Sequence, residues 1–193
     1  MVLPVTAYGH PVLRKVAEEI DKDYPGLDEF IQNMWDTMYY SEGVGLAAPQ
    51  VNKSIRIFIV DASPYGEQLS AAKDFRSTFI NPVIKERTGD DELLEEGCLS
   101  IPNIREEVER PQSIQIQYYD AEWNFHDEFY SGMLARIIQH EYDHLQGVLF
   151  TDHLSNMRKT MLRSKLSNIS KGKVDVSYKM IFPFPKKAKK SKI

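Results

Sequence analysis

The stretch IIQHEYDHLQG, residues 137 to 147, sets His140 and His144 four residues apart, with Glu141 directly after the first. On a helix the two imidazoles share one face, one turn apart, and the carboxylate lies on the flank beside them. This is the H-E-x-x-H pattern: two nitrogen ligands for a metal and a general base next to them. An amphipathic helix whose polar edge happens to carry two histidines has the same letters, so the reading turns on a third ligand. A catalytic zinc-like site uses three protein ligands and keeps one position open. Downstream, Asp152 and His153 are candidates. The longer H-E-x-x-H-x-x-G-x-x-H pattern finds its glycine at Gly147 but meets Phe150 where its histidine belongs, so that version of the site lacks a ligand. Cys98, in EEGCLSIP, is the other candidate. A lone cysteine is commonly a small buried apolar residue, but this one follows two acids and Gly97 in a segment dense with turn formers. A thiolate with two imidazoles suits zinc or ferrous iron. One thiolate against a divalent ion leaves net positive charge at the open position, which makes a bound water more acidic.

The elements that must position these groups can be read from periodicity. Ser131 stands where a helix over GMLARIIQHEYDHL would be capped by its hydroxyl. Met133, Ile137, His140 and His144 form one stripe of that helix, and Gly147 is a natural stop because glycine takes the left-handed conformation cheaply. An earlier helix is expected over LDEFIQNMWDTM, 27 to 38, with Leu27, Phe30, Met34 and Met38 on its apolar face after the break at Pro25 and Gly26. A later one is expected from Ser155 to near Ile169, using Met157, Met161, Leu162, Leu166 and Ile169. Between them lie strand candidates. IRIFIVD places Ile55, Ile57 and Ile59 on one face, and SIQIQYYD alternates through Ile114, Ile116 and Tyr118. STFINPVIKE carries Pro82, which marks an edge or a bend. AEWN turns the chain back into FHDEFY. Residues 61 to 75 read as an exposed, turn-rich excursion, and KVDVSYKMIF either forms a terminal strand or trails. Small, largely antiparallel strands fit this order better than a Rossmann-type alternation.

Composition sets limits on the setting. The 193 residues, 42% hydrophobic and 27% charged, suit one domain over residues 1–184. The remaining residues, 185–193, include Lys186, Lys187, Lys189, Lys190 and Lys192 and are expected to be a disordered basic tail on an acidic body: the whole chain has a formal net charge of −4, which becomes −9 without those five lysines. That balance argues against DNA binding by the domain, although such a tail could reach RNA phosphates. No apolar run is long enough to span a bilayer. The start lacks the basic-then-apolar pattern of a secretory signal, and one cysteine excludes an internal disulfide framework. The expected setting is therefore cytoplasmic.

Three segments carry a resemblance. GVGLAAPQ at 43–50, EGCLS at 96–100 and QHEYDH at 139–144 match, in order and spacing, the signature motifs of peptide deformylase, and the chain resembles that family from about residue 5 to about 166. The resemblance implies an α+β fold: a central metal-binding helix packed among small, mainly antiparallel β-sheets, with further N- and C-terminal helices. It implies a metal-dependent hydrolase that removes the formyl group from the N-terminal formylmethionine of nascent polypeptides and releases formate. It assigns Cys98, His140 and His144 to one divalent metal ion. Ferrous iron is the usual ion, and zinc, nickel or cobalt are possible substitutes. Glu141 becomes the general base and proton carrier, with Gln50 and the backbone N–H of Leu99 as donors to the developing oxyanion. Gly45 contacts the peptide main chain, Val44 walls the methionine pocket, Arg105 lies near the peptide's exposed side, and Glu96 orients the ligands from behind. Arg136 stands where some members place an aliphatic residue, with its stem expected to pack and its head to reach solvent. A monomer with transient ribosome contact through the 155–169 helix and the lysine tail is the expected partner pattern. The competing classes are a broader metal-dependent amidase or peptidase acting on N-blocked peptides, and a metal-stabilised binding module without catalysis.

Overall fold

Four consecutive apolar residues, Ile57 to Val60, are fully buried. That is the mark of a strand covered on both faces rather than one. In the computed structural model, which describes residues 1–66 and 73–183, they belong to β3 (Ile57–Asp61), a strand inside a five-stranded antiparallel sheet. The elements run β1 (Val5–Thr6), α1 (Leu27–Tyr40), β2 (Gly45–Ala47), β3, β4 (Arg76–Cys98), β5 (Ile101–Tyr119), β6 (Phe125–Ser131), α2 (Gly132–Leu145), α3 (Asn156–Ser170) and β7 (Met180–Ile181). The sheet order is β2-β3-β4-β5-β6, and β1 pairs with β7 in parallel as a separate two-stranded sheet.

Alternation along β3 divides the interior. Ile57 and Ile59 face α1, where they join Ile31, Met34, Trp35 and Met38. Phe58 and Val60 face α2 and pack with Phe79, Ile114, Ile138 and Leu145, the Phe58 and Phe79 rings stacking at 4.5 Å. The sheet is thus a partition with a helix on each side. A third cluster lies under α3, where Leu162, Leu166 and Ile169 meet Ile101, Ile104 and Val108 of β5.

The strands β4 and β5 are longer than their sequence suggests. They form one hairpin of 23 and 19 residues, with register shifts that reset the alternation. One shift falls between Ile80 and Val83, where Pro82 cannot donate to the ladder. Asn81 takes φ +49 there, and its side-chain amide exchanges two hydrogen bonds with the Ile20 backbone, at 2.7 and 3.0 Å. The bend expected at Pro82 is this bulge.

The helices lie close to their expected positions, with differences in detail. Ser155 caps α3 by accepting from the Arg158 N–H at 3.3 Å. Met157 and Met161 face solvent at 70% and 63% exposure, so the buried stripe of α3 is narrower than the apolar letters imply. Ser131 occupies the N-cap of α2, but its hydroxyl makes no capping bond. Gly147 ends α2 at φ +71, and an added Cβ would come within 2.8 Å of the Arg14 backbone, so only glycine fits. The terminal stretch after α3 does form a strand, β7, two residues long. Of the turn-rich excursion, the described parts are not wholly exposed: Tyr65 and Phe75 pack against the α2 cluster. Residues 67–72 and the lysine tail lie outside the described residues.

Candidate metal centre

Three elements bring the ligands together. α2 is buried on nearly every side, so His140 and His144 project from a rigid platform. Cys98 ends β4 at the tight turn into β5, where Cys98 pairs with Ile101 across Leu99 and Ser100. The ligand atoms of Cys98, His140 and His144 all lie within 4.8 Å of one another, and Cys98 Sγ is 3.4 Å from His144 Nε2. Burial pushes the Cys98 thiol up, but the facing imidazoles of His144 and His140 outweigh it and bring it down to about 5. A thiolate and two imidazoles at this spacing fit a divalent ion of the zinc or ferrous type. The other third-ligand candidates are occupied elsewhere. Asp152 pairs with Arg14 at 2.5 Å, and His153 Nε2 lies 2.7 Å from Asp143.

Behind the ligands lies a buried network of charge. The His140 Nδ1–H donates to Glu96 Oε2 at 2.8 Å, which fixes the tautomer and leaves Nε2 for a metal. Arg110 donates to both Glu96 oxygens, at 2.6 and 3.0 Å, and to Asp143 at 2.7 Å. Burial raises the Glu96 carboxyl, but His140 and Arg110 hold it well below the usual carboxylate range. The expectation for Arg136 is corrected here. Its head does not reach solvent: the residue is 5% exposed, and its guanidinium donates to Glu96 at 3.1 Å and to the carbonyls of Val108 and Glu92 at 2.7 and 2.5 Å. A guanidinium has five donors and can leave water only where acceptors surround it. Arg110, 14 residues from Glu96, carries no local signal of its role.

Glu141 flanks the ligands. Its burial pushes the carboxyl up to about 7, against the pull of His140 and His144. Its Oε2, like His144 Nδ1, is buried with no partner among the described residues. β2 crosses directly over this carboxylate: a Cβ on Gly45 would stand 2.8 Å from Glu141 Cδ and Cγ. Gln50 sits on a short 3-10 turn, Ala48–Val51, opened by Pro49. The Ala47 N–H donates to Gln50 Oε1 at 2.8 Å, so the amide nitrogen must face the site, where it lies 3.4 Å from Cys98 Sγ.

A cavity of about 860 Å³ opens over these groups, and Val44, Gly45, Leu99 and Arg105 line it together with Gln50, Glu141 and Cys98. Arg105 is the outermost, with a side chain 67% exposed and paired at 3.5 Å with Glu95. Met133 and Ile137 line the cavity from the α2 stripe, whose spacing placed them beside His140. Tyr65 and Tyr178 line it from segments whose sequence gave no such indication.

A half-buried cysteine and two buried histidines from an H-E-x-x-H helix, with a carboxylate beside them and a cavity above, define a metal-dependent hydrolase. The model of the polypeptide deformylase family matches residues 2–160. A peptide deformylase of Christiangramia forsetii is 56% identical over 98% of this chain and 100% of its own length. Among solved structures, a Legionella pneumophila peptide deformylase superposes with a TM-score of 0.78 at 31% identity, covering 90% of this chain and 98% of the other. A Plasmodium falciparum peptide deformylase gives 0.77 at 39% identity, covering 87% and 95%. This chain belongs to the polypeptide deformylase family.

Proposed function

We propose that the chain removes the formyl group from the N-terminal formylmethionine of nascent polypeptides, releasing formate and a free α-amine. The observation that carries this reading is the buried Glu141 carboxylate, its Oε2 without a partner among the described residues, beside the Cys98–His140–His144 cluster under a peptide-sized cavity. A divalent ion held by those three residues would supply positive charge that polarises the formyl carbonyl and acidifies water; ferrous iron is the proposed native ion, with zinc, nickel or cobalt as substitutes. Water adds to the formyl carbon as Glu141 takes its proton, and the C–N bond breaks as Glu141 returns a proton to the departing nitrogen. Burial raises the Glu141 carboxyl above the usual carboxylate range, which suits a group that takes a proton and gives it back. Gln50 donates from its side-chain amide, held in place by Ala47, and the Leu99 N–H is the second donor to the oxygen that gains charge. Glu96 orients His140 from behind. Gly45 lets the peptide main chain approach, Val44 walls the methionine pocket, and Arg105 meets the peptide at the cavity's exposed rim.

The protein acts on its substrate as a monomer in the cytoplasm, with transient contact to the ribosome through α3, whose exposed face includes Met157 and Met161. Among the described residues no helix is long and apolar enough to cross a membrane. The test of the reaction is a comparison of formyl-Met-Ala-Ser with acetyl-Met-Ala-Ser. Strong preference for the formyl peptide is expected. Equal hydrolysis of both would replace this reading with a broader N-blocked-peptide amidase.

A further inference from the structure

The family model ends at residue 160, yet the chain beyond α3 returns to the metal centre. From Gly172 it crosses the tip of the β4–β5 hairpin and joins β1, where Val5 and Ala7 donate to the Lys179 and Ile181 carbonyls, both at 2.8 Å. Val174, Met180 and Phe182 turn inward and pack on the cluster beneath α3. Between them, Asp175 to Tyr178 form part of the cavity wall, and Asn103 fastens the segment by donating to the Asp175 carbonyl at 3.2 Å.

One contact in this strap bears on the chemistry. The Tyr178 hydroxyl donates to the Leu99 carbonyl at 2.8 Å. On the other side of the hairpin tip, the Ser100 carbonyl accepts from the Tyr8 N–H at 2.9 Å. The two-residue tip is therefore tied from both chain ends, while Cys98 is committed to the ligand cluster. A carbonyl fixed at Leu99 and a side chain fixed at Cys98 leave the intervening peptide little freedom to rotate. That peptide carries the Leu99 N–H. A phenol keeps its proton at neutral pH and a carbonyl can only accept, so the Tyr178 hydroxyl is the donor in this bond.

We propose that Tyr178 is a positioning residue for the deformylation reaction: its hydroxyl holds Leu99 so that the Leu99 N–H meets the oxygen that gains charge at the transition state. The proposal rests on the deformylase reading above. The packing of the strap is carried by Val174, Met180 and Phe182, so the phenolic oxygen can be removed with little effect on it.

The test is Tyr178→Phe in the full chain, metallated and handled without oxygen, with Phe182→Ala as a control that loosens the strap without touching Leu99. For Tyr178→Phe, kcat on formyl-Met-Ala-Ser is expected to fall about tenfold, the worth of one neutral hydrogen bond felt mainly at the transition state. KM should stay within about twofold and metal content should match wild type. The Ser100 amide resonance, on the same peptide as the Leu99 carbonyl, should shift. Phe182→Ala should lower Tm and leave kcat near wild type. Wild-type kcat in Tyr178→Phe, a loss that only tracks lost metal, or an equal kcat loss in Phe182→Ala would overturn the proposal. Absence of formate from metallated wild-type protein would overturn the deformylase reading itself, and it is seen before any variant is compared.

Discussion

Replacing Gly45 with alanine should slow catalysis sharply in a protein that still folds and still binds its metal. The added Cβ would stand 2.8 Å from Glu141 Cδ and Cγ, where ordinary contact begins at 3.4 Å. The strand has little room to retreat: Leu46 and Ala47 beside it are fully buried, and Leu46 pairs with Ile59 of β3. The helix under Glu141 is as confined, with His140 held by Glu96. The carboxylate side chain must therefore swing aside by roughly 0.6 Å or more, and displacement of a reacting group by about 1 Å can cost on the order of a hundredfold in rate. A kcat loss of about ten- to a hundredfold is expected on formyl-Met-Ala-Ser, with metal content near wild type. The overpacking itself should cost about 1–3 kcal/mol in stability. Gly43→Ala is the comparison: there a Cβ meets Leu99 Cδ1, a side-chain end, at 3.0 Å and Met38 Cγ at 3.3 Å, neither of them a reacting group, and the kcat loss should be smaller. Wild-type kcat in folded, metallated Gly45→Ala would refute the argument that this glycine makes room for the Glu141 carboxylate.

Two further predictions concern the charges away from the reacting atoms. Arg110→Met leaves Glu96 and Asp143 without their shared cation, with all three side chains at most 11% exposed. A stability loss of about 3–5 kcal/mol in urea unfolding is expected, together with weaker metal binding as His140 loses its orientation; a change below about 1 kcal/mol would mean the network matters little. At the far end of the sheet, the hydrogen bond to Asp120 at 2.8 Å, aided by Glu128, raises the His126 imidazole above its usual 6.5. A folded-state value above the unfolded one stabilises the protein fully below about 6.5, and this contribution is lost as pH rises through the raised value. NMR titration should place His126 above 6.5 and show it falling in Asp120→Asn; an unchanged midpoint in the variant would remove Asp120 as the cause.

The parts of the site that lie close together in the chain were the legible ones. His140, Glu141 and His144 are one helical turn, and the helix announced itself through Met133, Ile137 and the stop at Gly147. Cys98, some 40 positions earlier, is by residue type one of several possible third ligands, and only the three motifs together single it out. What stayed hidden is long-range and polar. Arg136 looked like a snorkelling side chain because nothing in its neighbours reveals that Glu96 and two carbonyls from β4 and β5 will surround its head. Arg110 reaches Asp143 across 33 residues and Tyr178 reaches Leu99 across 79. The long hairpin read as short strands because each bulge flips the side-chain alternation on which strand recognition depends. Ser131 has the right residue type and position for a cap, but its hydroxyl takes no part.

The most direct measurement is formate release from formyl-Met-Ala-Ser by protein purified without oxygen, with bound metal counted, for wild type and Glu141→Ala side by side. Anaerobic handling protects both a ferrous ion and the Cys98 thiolate from oxidation. Formate production should scale with metal up to one ion per chain in wild type. Glu141→Ala should bind the same metal, remain folded and lose at least about a hundredfold in kcat. Wild-type turnover by Glu141→Ala, or silence from folded wild-type protein carrying its full metal, would contradict the assignment of this site to deformylation.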